Sequence, residues 1–213
     1  MNVDAERPAP VVVGAVILAA GRSARMGRPK LLLPWGKTSI LGHLLQQWRT
    51  LGAQQIVTVC AAEDRAMQTE LERLGFPAQN CIYNPAPERG MFSSIQCAAR
   101  WRDWTSDLTH WAIILGDQPH LRDETLEKVL GLCVTQPAKV CQTAHRGNRR
   151  HPVLLPKAVF AQLAASTAGN LKEFLGGYEI AVCESDDAGL DLDIDRPEDY
   201  RKAQQWSIRR GKE

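Results

Sequence analysis

Val11-Val12-Val13-Gly14-Ala15-Val16-Ile17-Leu18-Ala19-Ala20-Gly21-Arg22-Ser23-Ala24-Arg25-Met26-Gly27-Arg28-Pro29-Lys30 begins as an unbroken apolar run, stops at a glycine and turns basic. Residues 11–20 include four valines, and an apolar run of this length that ends at glycine reads as a buried parallel strand. Gly21, directly after it, lets backbone N–H groups face an anion with no side chain between. Arg22 offers a forked donor and Lys30 a point charge, and both suit phosphate oxygens. Two common phosphate loops are excluded by spacing. Gly21 and Gly27 do not make G-x-G-x-x-G, and Gly36-Lys37-Thr38 would need its first P-loop glycine at position 31, which is Leu31. The residues alone leave two readings, an anion-binding loop or a solvated turn with spare charges.

Working outward, strands and helices alternate. Thr38 or Ser39 caps a helix whose apolar positions Ile40, Leu41, Leu44, Leu45, Trp48 and Leu51 keep helical spacing, with Gly52 near its end. Further strands are predicted at 55–61, 80–84, 111–115, 140–144, 152–155, 179–183 and 190–194. Further helices are predicted at 63–74, 93–104, 123–133, near 159–164 and 171–175, and from Pro197, which is tolerated in a first turn. This order predicts an α/β protein, a Rossmann-like three-layer sandwich, with ligands at the carboxyl ends of the strands. A single domain is expected over 11–206, with frayed ends at 1–10 and 207–213.

The 213 residues are 44% hydrophobic and 23% charged, with a net charge of +2. A core can form without disulfides, and neither a strongly basic nucleic-acid binder nor an acidic disordered chain is expected. No apolar run reaches the roughly 20 residues of a membrane span. The six cysteines show no zinc spacing and read as thiols in a reducing compartment, and no basic n-region precedes the first strand. A cytoplasmic protein is expected. The charge is unevenly placed. No acid lies between Glu6 and Glu63, whereas Glu184 to Asp199 holds eight acids against Arg196. A polyanion at one end of a site and a cation at the other would use both blocks, as a nucleoside triphosphate with magnesium does.

Asp117 follows the apolar strand 111–115 and so reaches the ligand edge, where magnesium takes one or two carboxylates plus phosphate oxygens and water. A turn-capping role for Asp117 is the alternative. Asp191, Asp193 and Asp195 alternate and are expected to share one face of a strand. Asp195 is nearest the ligand edge, Asp193 could assist, and Glu198 and Asp199 suit the first turn of the last helix. Gly90-Met91-Phe92-Ser93-Ser94 offers a close backbone, hydroxyls and a helix N-terminus. His43, His110 and His120 are read as surface or packing residues, and Trp101, Trp104 and Trp111 as packing on a core edge.

The run from Leu18 to Lys30 resembles the opening motif of the MobA-like nucleotidyltransferases, particularly the molybdenum cofactor cytidylyltransferase branch. Asn84-Pro85, Gly90–Ile95, Leu115-Gly116-Asp117-Gln118-Pro119, His151-Pro152-Val153-Leu154 and Asp193–Asp199 follow in the family's order. The resemblance implies a mixed, mainly parallel sheet of about seven strands, as in nucleotide-diphospho-sugar transferases. It implies transfer of a nucleotidyl group from an NTP, CTP by branch, to a phosphate-bearing acceptor such as molybdopterin carrying molybdenum. Pyrophosphate leaves, Mg2+ assists (Mn2+ as a substitute), and a client molybdoenzyme is a possible partner. By resemblance Arg22, Lys30 and Asp117 are catalytic. Leu18, Ala19, Ala20, Gly21, Arg22, Lys30, Asn84 and Gly116 bind the nucleotide, Gly90, Met91, Ser93, Ser94 and His151 the acceptor, and Asp117 and Asp195 the metal. Rival readings are a relative that uses GTP or a phosphosugar, phosphoalcohol or phospholactate acceptor, and a module that only delivers a nucleotide-modified cofactor. Two departures stand out. Relatives usually have glycine where Arg150 precedes His151, and the segment around Asn170-Leu171-Lys172 is shorter and lacks the family's acid.

Overall fold

The structure is a computed structural model that describes residues 10–21 and 23–210. Arg22 and the expected frayed ends at 1–9 and 211–213 lie outside the described residues, and residues 207–210 belong to the last helix.

The apolar run forms β1 (Val13–Leu18). After it come the hairpin strands β2 (Pro34–Trp35) and β3 (Thr38–Ser39), helix α1 (Ile40–Thr50) and β4 (Gln55–Ala61). Then follow α2 (Arg65–Arg73), β5 (Cys81–Asn84), α3 (Met91–Arg100), β6 (His110–Leu115) and α4 (Asp123–Thr135). The last part holds β7 (Val140–His145), β8 (Asn148–Pro156), α5 (Lys157–Leu163), α6 (Leu171–Phe174), β9 (Ile180–Glu184) and α7 (Pro197–Arg210). The main sheet has seven strands in the order β5-β4-β1-β6-β8-β7-β9, and only β8 runs against the rest. This is the mixed, mainly parallel sheet that the sequence predicts.

Alternation along β1 shows why helices cover both faces. Ala15 and Ile17 pack with α1, whose Ile40, Leu41, Leu44, Leu45 and Trp48 are buried. Val16 packs on the other face with Phe92 and Ile95 of α3 and Phe160 of α5. Ser39 caps α1 by accepting from the Gly42 N–H at 3.1 Å. The Trp101, Trp104, Trp111 and Phe160 rings pack together, with Trp111 stacked on Phe160 at 4.5 Å. These tryptophans line a core edge, as expected. The helix expected over 93–104 ends earlier, at Arg100, and the chain turns extended at Trp101.

One predicted strand is absent. Residues 190–194 are not in the sheet: Ala188–Asp191 form a short helical turn and the chain then runs extended without a strand partner. The alternation that suggested a strand is real, since Leu190, Leu192 and Ile194 are buried while the aspartates between them keep part of their surface open. An extended segment laid across the sheet edge produces the same period as a paired strand. The three aspartates consequently share no strand face.

β4 and β6 flank β1, so the chain reverses its direction of sheet growth there. A doubly wound sheet opens a crevice at such a point, outside the strand carboxyl ends. No helix among the described residues is long and apolar enough to cross a membrane.

Candidate active site

β1 and β6 end side by side, with Leu18 opposite Leu115. Gly116 comes next because nothing larger fits: a Cβ there would lie 2.7 Å from the Leu18 carbonyl oxygen and 2.8 Å from Leu31 Cδ2. That contact fixes where Asp117 leaves the sheet. The basic loop folds back over the crevice. Ser23 and Gly27 take left-handed conformations (φ 49° and 66°), the Ser23 hydroxyl accepts from the Lys30 N–H at 3.1 Å, and buried Leu31 and Leu33 anchor the far side. Lys30 therefore points inward. Its ammonium donates to Asp117 Oδ2 at 2.6 Å and to Asp195 Oδ1 at 3.2 Å, and Arg25 pairs with the second Asp195 oxygen at 2.8 Å.

Asp195 is held from several sides. The Ile194 N–H donates to the Asp117 carbonyl at 3.1 Å, and Gln118 Nε2 donates to Asp193 Oδ1 at 2.9 Å. The Asp199 carboxylate accepts from the Asp195 and Arg196 N–H groups, the cap-like role expected of it. Burial works against the Lys30 charge, but the Asp117 charge and the bonds to Asp117 and Asp195 outweigh it, so its pKa lies above the ordinary value. Burial and then the neighbouring Asp117 and Asp195 charges push Asp193 up, against the Gln118 hydrogen bond and the Lys30 charge.

Two carboxylates converging on one cation are a donor set that suits a hard divalent ion, which also takes phosphate oxygens and water. Among the described residues no group of three or more His, Cys, Asp or Glu could hold a metal alone. The residues present therefore fit an ion that shares its coordination with a phosphate ligand.

A cavity of about 320 Å³ opens beside this cluster, lined by Leu18, Ala20, Gly21, Lys30, Gly90, Met91, Ser94, Gly116 and Asp117, with Leu31, Leu115, Pro87 and Glu88 completing the wall. Nine residues singled out from the sequence thus meet in one place. Others stand behind it. Ala19 is buried and its N–H bonds the Val59 carbonyl. The Asn84 side chain, also buried, donates to the Ser93 and Ser94 hydroxyls and accepts from the Ala86 N–H, while Ser93 donates to the Gly90 carbonyl at 2.7 Å. Asn84 and Ser93 brace the 84–90 loop and do not line the cavity. Glu88 in the wall belongs to no motif legible beforehand.

His151 belongs to a second cavity of about 520 Å³, which shares Met91 with the first. Its Nδ1 donates to the Ile113 carbonyl at 3.2 Å. Burial holds the ring below the usual histidine pKa, against this hydrogen bond and the Asp117 charge. A neutral ring that donates from Nδ1 keeps Nε2 as an acceptor.

Residues 15–182 match the family model for the MobA-like NTP transferase domain. The chain belongs to the MobA-like NTP transferase family. Two curated relatives match across most of their length. The molybdenum cofactor cytidylyltransferase of Escherichia coli K12 is 25% identical over 195 residues, 91% of this chain and 96% of the relative. The molybdenum cofactor guanylyltransferase of Rhizobium johnstonii is 27% identical over 207 residues, 91% and 92% of the two chains. A Mycobacterium tuberculosis H37Rv protein, crystallised in complex with manganese, superposes with a TM-score of 0.67 at 22% identity, covering 92% of this chain and 99% of that one. In this MobA-like chain the opening motif, the Gly-Asp-Gln-Pro turn and the 193–199 segment all arrive at the β1–β6 crevice.

Proposed function

We propose that the protein transfers the cytidylyl group of CTP to a phosphate-bearing acceptor substrate, molybdopterin carrying molybdenum, and releases pyrophosphate. The observation that carries this reading is the Lys30 ammonium held between Asp117 and Asp195 at the mouth of a cavity built from the ends of β1 and β6. An oxygen of the acceptor phosphate attacks the α-phosphorus of CTP. The bond from that phosphorus to the bridging oxygen breaks, and its electron pair leaves with pyrophosphate. The phosphate is its own nucleophile, so the protein has to position and neutralise rather than abstract a proton. The Gly21 backbone, Arg22 and Lys30 bind the triphosphate. Asp117 and Asp195 hold Mg2+ or Mn2+, which supplies positive charge to the phosphoryl oxygens when bound. Ser94 and the 90–91 backbone orient the substrates between the cavities, and His151 Nε2 accepts a hydrogen bond from the acceptor substrate.

Cytosine rests on the likeness of Ala19-Ala20-Gly21 to the cytidylyl branch, and small Ala20 and Gly21 in the cavity wall leave room for a base edge to approach main-chain polar groups. A wrong base would leave those polar groups unpaired. The reaction is placed within one domain, residues 11–206, in the cytoplasm; all six cysteines are free thiols. The test is a matrix of NTPs against phosphate-bearing acceptors, read by pyrophosphate release. CTP is expected to exceed GTP in kcat/KM by about tenfold or more, roughly 1.4 kcal/mol of differential transition-state binding. A preference for GTP would move the protein to guanylyl transfer, and no turnover with any pair would defeat the reading.

A further inference from the structure

The segment that carries Asp195 has no strand partner, so other contacts must fix it against the turn that carries Asp117. It lies antiparallel to residues 117–122 and is laced to them along its length. The Ile194 N–H donates to the Asp117 carbonyl at 3.1 Å, and Gln118 Nε2 donates to Asp193 Oδ1 at 2.9 Å. His120 Nε2 meets the Gly189 carbonyl at 3.1 Å. A carbonyl only accepts, so this nitrogen donates. Asp187 closes the far end on Arg122.

Asp187 is the tie with the most bonds. Its side chain is wholly buried. Oδ2 accepts from the Arg122 N–H at 3.0 Å and from the Thr125 hydroxyl at 3.1 Å, with Arg122 Nε 3.5 Å away. Oδ1 accepts from the Gly189 N–H at 3.0 Å. Arg122 is the N-cap residue of α4 and makes no side-chain cap of its own. A carboxylate from the distant 185–191 segment thus does what a capping-box acid does, and its charge suits a helix N-terminus. The fit is close: a Cβ on Gly189 would lie 2.9 Å from Asp187 Oδ1 and 3.1 Å from His120 Cδ2.

We propose that Asp187 is a positioning residue for the transferase: it sets the register in which 187–195 lies along 117–122, and so the separation of Asp117 and Asp195. Asp187 touches neither substrate nor metal and acts through the lacing. An asparagine cannot replace it, because its amide N–H would face one of the backbone N–H donors. The part played by Asp187 in the chemistry rests on the metal site proposed above, whereas the register does not.

The test uses the full-length protein and two measurements. Deuterium exchange at the Ile194 amide, followed by NMR without metal, reads the register, because that N–H is bonded to the Asp117 carbonyl. In Asp187→Asn it is expected to speed up by about tenfold, as the loss of a buried hydrogen-bonded group implies. Mn2+ titration with the non-hydrolysable analogue α,β-methylene-CTP, followed by electron paramagnetic resonance, reads the metal site. Asp187→Asn is expected to weaken Mn2+ by about 10–100-fold. Thr125→Val should shift both readouts in the same direction and Thr125→Ser should restore them. Val159→Ala, a core truncation on the other face of the sheet, should lower the Tm and leave both readouts unchanged. Wild-type Ile194 exchange or wild-type Mn2+ affinity in Asp187→Asn, or an equal effect of Val159→Ala, would overturn the proposal. If Asp187→Asn does not fold, Thr125→Val decides in its place. A wild-type protein that takes up no Mn2+ with the analogue would defeat the metal assignment, and Ile194 exchange would then decide the register alone.

Discussion

Replacing Lys30 with methionine keeps the bulk of the side chain and removes its charge, which leaves Asp117 and Asp195 facing each other. The Lys30 and Asp117 side chains are 11% and 18% exposed and Asp195 is 34% exposed, so the cluster is partly shielded from water. At an effective dielectric of ~20, contacts of 2.6 and 3.2 Å are worth ~6 and ~5 kcal/mol before desolvation. Most of that is cancelled by the cost of burying an ammonium. Breaking a buried pair costs about 3–5 kcal/mol. The lower end applies, because Asp195 keeps Arg25 and is partly solvated. A loss of about 3 kcal/mol corresponds to a fall in Tm of about 6–12 °C for a protein of this size. A divalent ion would return charge to the same two carboxylates, so saturating Mn2+ should raise the Tm of Lys30→Met more than that of wild type, although nucleotidyl transfer by the variant is reduced. Thermal unfolding by circular dichroism, with and without Mn2+, reads both effects. A variant as stable as wild type without metal, with no larger gain on adding it, would show that the three side chains do not form the electrostatic unit described.

Asp117→Asn should lower turnover by about 10²–10³, the loss seen when one key electrostatic contact is removed, and keep a native circular dichroism spectrum; turnover within a few-fold of wild type at saturating metal would contradict its role. Gly116→Ala should cost about 1–3 kcal/mol by overpacking against the Leu18 carbonyl and Leu31, measured by urea unfolding. His110 gives a pH signature. Burial holds its folded pKa below the ordinary value, despite a bond to the Pro137 carbonyl, so the unfolded chain takes up the proton first. Its contribution is intact above about pH 6.5 and declines as pH falls from there towards the folded pKa. Stability should drop over that window, and drop less in His110→Asn.

How much could be read in advance depended on how local the signal was. Gln55–Ala61 was bounded correctly at both ends, and β1 within the run 11–20, because apolar runs stopped by turn residues carry their own limits. The β2–β3 hairpin was invisible, since two residues per strand produce no periodicity. β8 was expected only over 152–155, because its first residues are polar and face the second cavity or solvent. Its reversed direction has no local signature at all. In the site, the motif positions were legible individually. That Lys30 meets Asp117 and Asp195, 87 and 165 residues away, depends on the completed sheet. The same holds for Arg150 reaching Asp191, and for the buried Asn84 bracing Ser93 and Ser94.

The single reversed strand gives the molecule two halves that can change at different speeds. β5, β4, β1 and β6 run together, and the crevice at their ends depends on the tight contact at Gly116. β8 returns to this edge through a two-residue turn at Arg146 and Gly147, both with positive φ. Insertions or substitutions at that tip alter the wall of the second cavity while the pairing of β8 with β6, from Val153 to Pro156, stays as it is. A lineage could thus reshape the second cavity by editing a hairpin and keep the β1–β6 half untouched. A protein engineer could do the same, grafting hairpin tips between relatives as cassettes.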